Sequence, residues 1–210
     1  MRKVLYLLFA IASVCCMQAC SKSDSSGGGG SSVDCNSLPV KVGSKLVYTL
    51  ASGGTQTNNF TKQTTYNGNN YVGATVSTPY GDITTYLGKD QNNYVYQLIP
   101  ATGDLPTANV IFYKPGQPVG ASWSYTYNSV SMPSSIKYKY TIKVIKTGIV
   151  FVLAGKTYTD CCQMQITFET YYSGTVLSTK VSGFTYGCGV GIVQQYIDGS
   201  LSSTLTSYTY

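Results

Sequence analysis

The chain has 210 residues with 43% hydrophobic and only 10% charged content, enough for one packed domain and too apolar for a disordered polymer. Its formal charge is +6, yet Arg2 and Lys3 lie in the leader, and setting them aside leaves 12 of the 14 basic residues against 8 acidic ones, with no Arg. Without Arg forks or a basic cluster, nucleic-acid recognition is excluded as a function class.

In chain order, the basic pair Arg2-Lys3 is followed by an apolar stretch from Val4 to Val14 and by Ala19 before Cys20. That is the layout of an export signal, and the stretch is shorter than the ~20 residues a transmembrane helix needs. Met17-Gln18-Ala19-Cys20 resembles the lipobox of bacterial lipoproteins, with Met17 where that class usually has Leu. The resemblance implies a signal peptide over 1–19, lipid attachment at Cys20 and a membrane partner through the lipid. Ser21 after the cysteine resembles outer-membrane sorting, so the expected location is the outer membrane, facing the periplasm or exposed at the surface. Residues 20–34 read as a flexible Ser/Gly tether, whose part from Ser21 to Ser32 spans roughly 20 Å as a random coil.

From residue 35 to 210 the chain reads as one all-β domain: short runs of Val, Ile, Thr and Tyr separated by turn residues, with no helix beyond the signal peptide. The expected architecture is antiparallel, either a two-sheet sandwich or a curved open barrel, built from two related meanders. The clearest strand runs from Ile136 to Ile145, with Ile136, Tyr138, Tyr140, Ile142 and Val144 on one face and Lys137, Lys139, Thr141 and Lys143 on the other. The lysine row reads as a solvated face. Lys156 to Glu169 alternates in the same way, placing Tyr158, Cys162, Met164, Ile166 and Phe168 inward. Asn67-Gly68, Ala154-Gly155, Ser173-Gly174 and Asp198-Gly199 supply hairpin turns.

The two halves echo each other over about 38–99 and 117–210. Lys41 to Thr49 corresponds to Pro118 to Thr126, Asn67-Gly68 before Tyr71 to Ala154-Gly155 before Tyr158, and Thr85-Tyr86 before Gly88 to Thr185-Tyr186 before Gly187. The proline-bearing segment from Leu98 to Pro118 reads as the connection between meanders, since proline cannot donate to a central ladder. Gly120 to Trp123, Lys156 to Asp160 and Tyr186 to Val193 resemble a group of Bacteroidetes lipoproteins in which a Val-Gly-x-x-Trp strand opening, a Gly-Lys-x-Tyr hairpin and a late Gly-Val-Gly turn recur. That resemblance covers roughly 38–197 and implies fold and location, with no activity attached to it.

The sequence has no histidine, which removes Ser-His-Asp and Cys-His nucleophiles and the commonest metal ligand, so neither a cofactor nor a metal is expected. Cys35, Cys161, Cys162 and Cys188 are an even set for an oxidising compartment. Inward Cys162 with Cys188 is the first pairing, leaving Cys35 with outward Cys161; Cys161 with Cys188 is the alternative. The expected function is a non-catalytic, membrane-anchored binding or scaffolding domain, with a glycan or a lipid as candidate ligand. Trp123 is the candidate stacking residue, set against its reading as a core side chain. Two alternatives stand beside this: a half-barrel sheltering an acyl chain, and a glycan hydrolase using Asp160 with Glu169 or Asp198. Oligomeric state is not encoded in any motif.

Overall fold

The computed structural model describes residues 40–209 apart from 79–80 and 188. Every described element is a strand: β1 (Lys45–Leu50), β2 (Thr55–Tyr66), β3 (Asn69–Thr78), β4 (Gly81–Lys89), β5 (Val95–Ile99), β6 (Ala108–Tyr113), β7 (Ser122–Asn128), β8 (Ile136–Leu153), β9 (Lys156–Tyr172), β10 (Thr175–Gly187), β11 (Gly191–Ile197) and β12 (Ser200–Thr209). The four dipeptides expected as turns have both residues at positive φ: 47° and 78° at Asn67-Gly68, 50° and 76° at Ala154-Gly155, 48° and 87° at Ser173-Gly174, 47° and 80° at Asp198-Gly199. This is the type I′ geometry, whose twist matches that of the flanking strands.

All strands pair antiparallel in one sheet of order β6-β5-β4-β3-β2-β1-β12-β11-β10-β9-β8-β7. The first six strands form one meander and the last six another, joined by backbone bonds between β1 and β12. The segments that echo in sequence occupy matching places: β1 and β7, the β2–β3 and β8–β9 turns, and β4 and β10. Of the two architectures expected, the chain adopts the curved one, a nearly closed barrel-like sheet whose break falls between β6 and β7.

Large side chains fill the inside. Tyr48, Phe60, Phe112, Tyr140, Phe184 and Tyr186 are all fully buried. Phe112 stacks on Phe184 at 4.5 Å and Tyr113 on Tyr186 at 4.3 Å, so the edge strand β6 packs ring on ring against β10. A bulge on β6 makes this double stack: Tyr96 faces Ile111 and Val95 faces Tyr113, leaving Phe112 as the extra residue, so neighbouring side chains turn the same way.

Two sequence expectations need correction. The segment Leu98 to Pro118 is more than a connection, because β6 forms within it; it is an edge strand and its prolines flank it. Cys161 does not face outward. Asp160 takes φ of 58° and breaks the alternation, so Cys161 is fully buried while Cys162 stays inward beside Met164. The same break leaves Asp160 exposed near the start of β9.

Candidate binding site at the barrel seam

β7 reads Ser-Trp-Ser-Tyr-Thr-Tyr-Asn, and its alternation turns Trp123, Tyr125 and Tyr127 to the face of Ile142, Tyr140 and Tyr138 on β8. These three aromatics meet β6, whose outer edge has no strand neighbour among the described residues. Trp123 Nε1 donates to the Ile111 carbonyl at 2.7 Å, and the Tyr127 hydroxyl donates to the Asn109 carbonyl at 2.8 Å. An open edge exposes unpaired carbonyls that invite pairing with another chain. Here side chains satisfy them, and the barrel closes without a backbone ladder.

Burial raises the phenol of Tyr127 to about 12, with partial relief from its bond to the Asn109 backbone. Tyr125 is raised as well, chiefly by burial, against a hydrogen bond with the Ile111 backbone. Burial, followed by the hydrogen bond to Asp90, likewise holds Tyr96 well above the ordinary phenol value. All three side chains therefore stay neutral and keep their hydrogens as donors.

Beside the seam the Lys114 ammonium lies 5.0 Å from the ring centre of Trp123 and 5.6 Å from that of Tyr94. Lys114 opens a cleft of about 330 Å³. Its floor is apolar, made by Tyr113, Val144 and Met164 with Cys162, and Asp160 stands on its rim. Both bounding strands lose register here. Pairing of β8 with β9 slips three times between Val144 and Phe151, Gly148 sits at φ 68°, and Asp160 at 58°. Bulges of this kind re-aim side chains at the rims of barrels, and a non-glycine residue at positive φ persists only where its surroundings hold it. A second cleft, about 410 Å³, is lined by Gln63, Asn70, Tyr71 and Lys89 on the first meander.

Trp123 is half-buried, and its one polar group is already engaged with Ile111, so it is a strut of the seam rather than an open platform. The carboxylates weighed for hydrolysis are not brought together. Asp160 and Glu169 are nine residues apart on β9, roughly 30 Å at ordinary strand rise, where a glycosidase pair needs about 10 Å or less. Glu169 accepts from the Tyr171 hydroxyl at 3.0 Å and lies 3.8 Å from Lys139. Asp198 sits in the β11–β12 turn, at the rim away from Asp160.

Cys20, Cys35 and Cys188 lie outside the described residues, so the lipid site and the disulfide pairings are not addressed by the geometry. Cys161 is placed closely enough to matter: its sulfur lies 3.3 Å from where a Cβ on Gly187 would stand, and Gly187 precedes Cys188. What sequence reasoning missed is the pairing of Lys114 with the seam. The signal was present in the aromatic alternation Trp123, Tyr125, Tyr127, but not the strand it would meet.

No family model matches the chain, and no curated protein matches it. Two solved structures are similar. One is a protein from Parabacteroides distasonis ATCC 8503 named as a lipoprotein, 15% identical, with a TM-score of 0.47 over 80% of this chain and 96% of the other. The second, from Bacteroides fragilis NCTC 9343, is named as an exported protein with a YmcC-like fold; it is 11% identical, with a TM-score of 0.47 over 82% of this chain and 98% of its own.

Proposed function

We propose that the chain is an exported lipoprotein acylated at Cys20, whose barrel serves as a non-catalytic binding module with the seam cleft as its site. The leader supports the anchor: an apolar stretch of signal-peptide length ends in Ala19-Cys20 and is followed by a polar Ser/Gly run. The cleft carries the binding reading. It joins an apolar floor to a cation at Lys114 and an anion at Asp160, the mix of apolar wall and few placed charges that small-molecule sites share. Packing of Tyr48, Phe60, Tyr140 and Phe184 inside the barrel favours a short ligand held at this rim over an acyl chain sheltered within.

Trp123 is the sole tryptophan of the chain and touches Lys114, so its fluorescence reports on the cleft. A soluble lysophospholipid or a chitooligosaccharide, titrated to millimolar concentration, is expected to shift Trp123 emission saturably in one of the two cases. Lys114→Gln and Asp160→Asn should each abolish the shift. Flat emission with both probes would remove the cleft as a glycan or lipid site. Metabolic labelling with an alkyne fatty acid tests the anchor: the tag is expected on the wild type and absent from Cys20→Ser.

A further inference from the structure

The long β8–β9 hairpin does more than complete the sheet. Beyond the slips near Lys146 it reads Ile149-Val150-Phe151-Val152-Leu153, apolar at every position. Ile149 and Phe151 pack against the core and Leu153 is buried, while Val150 and Val152 are each 61% exposed. The hairpin leans over the barrel's end, where the Tyr158 and Tyr208 hydroxyls meet at 2.7 Å. Tyr208 pairs with Leu46 at the start of β1, so this is the rim at which the described chain starts, at Val40. Val42, 46% exposed, stands on the same rim. An apolar blade thus stands exposed at the rim where the described chain enters the barrel.

Charge is divided along the same axis. Lys41, Lys45, Lys62, Lys89, Lys146 and Lys156 lie toward the N-terminal rim, against Asp90 and Asp160. Toward the opposite rim Asp82, Asp104, Asp198 and Glu169 stand against Lys137, Lys139 and Lys180, so the excess of positive charge lies at the N-terminal rim. The opposite rim also exposes Tyr172, Val176 and Leu177, but there lysines and acids are nearly balanced. Apolar side chains ringed by lysines suit an anionic bilayer surface, which attracts cations and admits apolar side chains at the headgroup boundary.

We infer that the N-terminal rim docks on an anionic membrane surface, with Val150 and Val152 entering the headgroup region and the surrounding lysines facing lipid phosphates. The inference rests on the lipoprotein reading for its membrane, and it adds a second contact to the lipid anchor. A lipid anchor on the expected Ser/Gly tether leaves the barrel free to stand off from the bilayer, so a second contact of this kind would decide whether it lies against the membrane.

The test uses the mature chain carrying Cys20→Ser, so that binding owes nothing to acylation, in co-sedimentation with vesicles of phosphatidylcholine alone and with phosphatidylglycerol added. Binding is expected only to the anionic vesicles and should fall as salt rises. The pair Val150→Thr and Val152→Thr, which keeps β-branched residues in the strand, should weaken it roughly tenfold. Lys41→Gln and Lys45→Gln should weaken it about fivefold each. Val176→Thr with Leu177→Thr at the opposite rim should change nothing. Absence of binding to anionic vesicles, or equal binding by the Val150/Val152 variant, overturns the inference. So does concentration-dependent self-association that the same pair abolishes, which would assign the blade to a second copy of the chain. Fatty-acid labelling of the wild type separates the two readings: a labelled chain whose unacylated form ignores vesicles loses only the rim contact, and an unlabelled chain that binds them loses only the anchor.

Discussion

Tyr140 lies inside the barrel at 1% exposure, wedged between Phe168 and Tyr127, and its hydroxyl has no hydrogen-bond partner among the described residues. A buried hydroxyl left unpaired carries its desolvation cost without return, about 1–3 kcal/mol. Tyr140→Phe is therefore expected to leave stability unchanged or raise it by about 1 kcal/mol, read as a higher urea midpoint at constant slope. Trp123→Phe works the other way. It removes the donor to the Ile111 carbonyl and should cost about 1–3 kcal/mol. Sequence alternation placed Tyr140 inside and left Trp123 between two readings; only the position of Ile111, twelve residues away on another edge, tells strut from platform.

The phenols also set a pH limit. Burial raises Tyr127 from 10.0 to about 12 and pushes Tyr140 and Tyr158 up as well, so folding favours the neutral forms. A group whose folded value is raised gives its full stability below its unfolded value and loses it as pH climbs. The melting temperature should hold steady below pH 10 and fall between 10 and about 12, with tyrosinate absorbance appearing as the barrel opens. Ionisation of all tyrosines at pH 10 without unfolding would contradict this burial.

At the scale of elements, what was legible followed from local chemistry. Positive φ at a dipeptide ending in glycine dictates a type I′ turn, and period-two alternation dictates a face, so the hairpins and the inward residues of β8 and β9 could be read directly. Asp160 defeated that reading locally, because its positive φ turns Cys161 inward while Tyr158 before it and Cys162 after it keep their face, and no composition signal marks the break. Close approach is equally silent in sequence. A Cβ on Gly88 would stand 2.7 Å from the Asn70 carbonyl and 2.9 Å from the Tyr71 ring, which lies across that glycine from the paired strand. Gly88→Ala should therefore force Tyr71 or the β3 backbone aside at a cost of about 1–3 kcal/mol, measured by denaturant titration, although the substitution normally favours a folded strand.

For the whole molecule, the ring of strands has two joints of unlike strength. β1 and β12 close one with a backbone ladder of six residue pairs, bulged once between Val47 and Tyr48. β6 and β7, neighbours in sequence, close the other through side chains of β7, with Trp123 and Tyr127 donating to β6 carbonyls and Tyr125 bonded to the Ile111 backbone. Two six-stranded meanders explain the asymmetry: each has two edges, and the chain pairs one edge of each while the remaining two carry the connection and the cleft. Local opening follows the weakest joint, since a region held by few buried bonds opens at a lower free energy than the global transition. Native-state hydrogen exchange should then find the β6 and β7 amides opening first and the β1 and β12 amides only with global unfolding. Trp123→Phe combined with Tyr127→Phe should lower protection in β6 and β7 by roughly tenfold or more while leaving β1 and β12 unequal to them, protected as long as the barrel is folded. Uniform loss across all strands would mean that the seam is as strong as the ladder, and the cleft beside it would then rest on rigid walls instead of a joint able to part for a ligand.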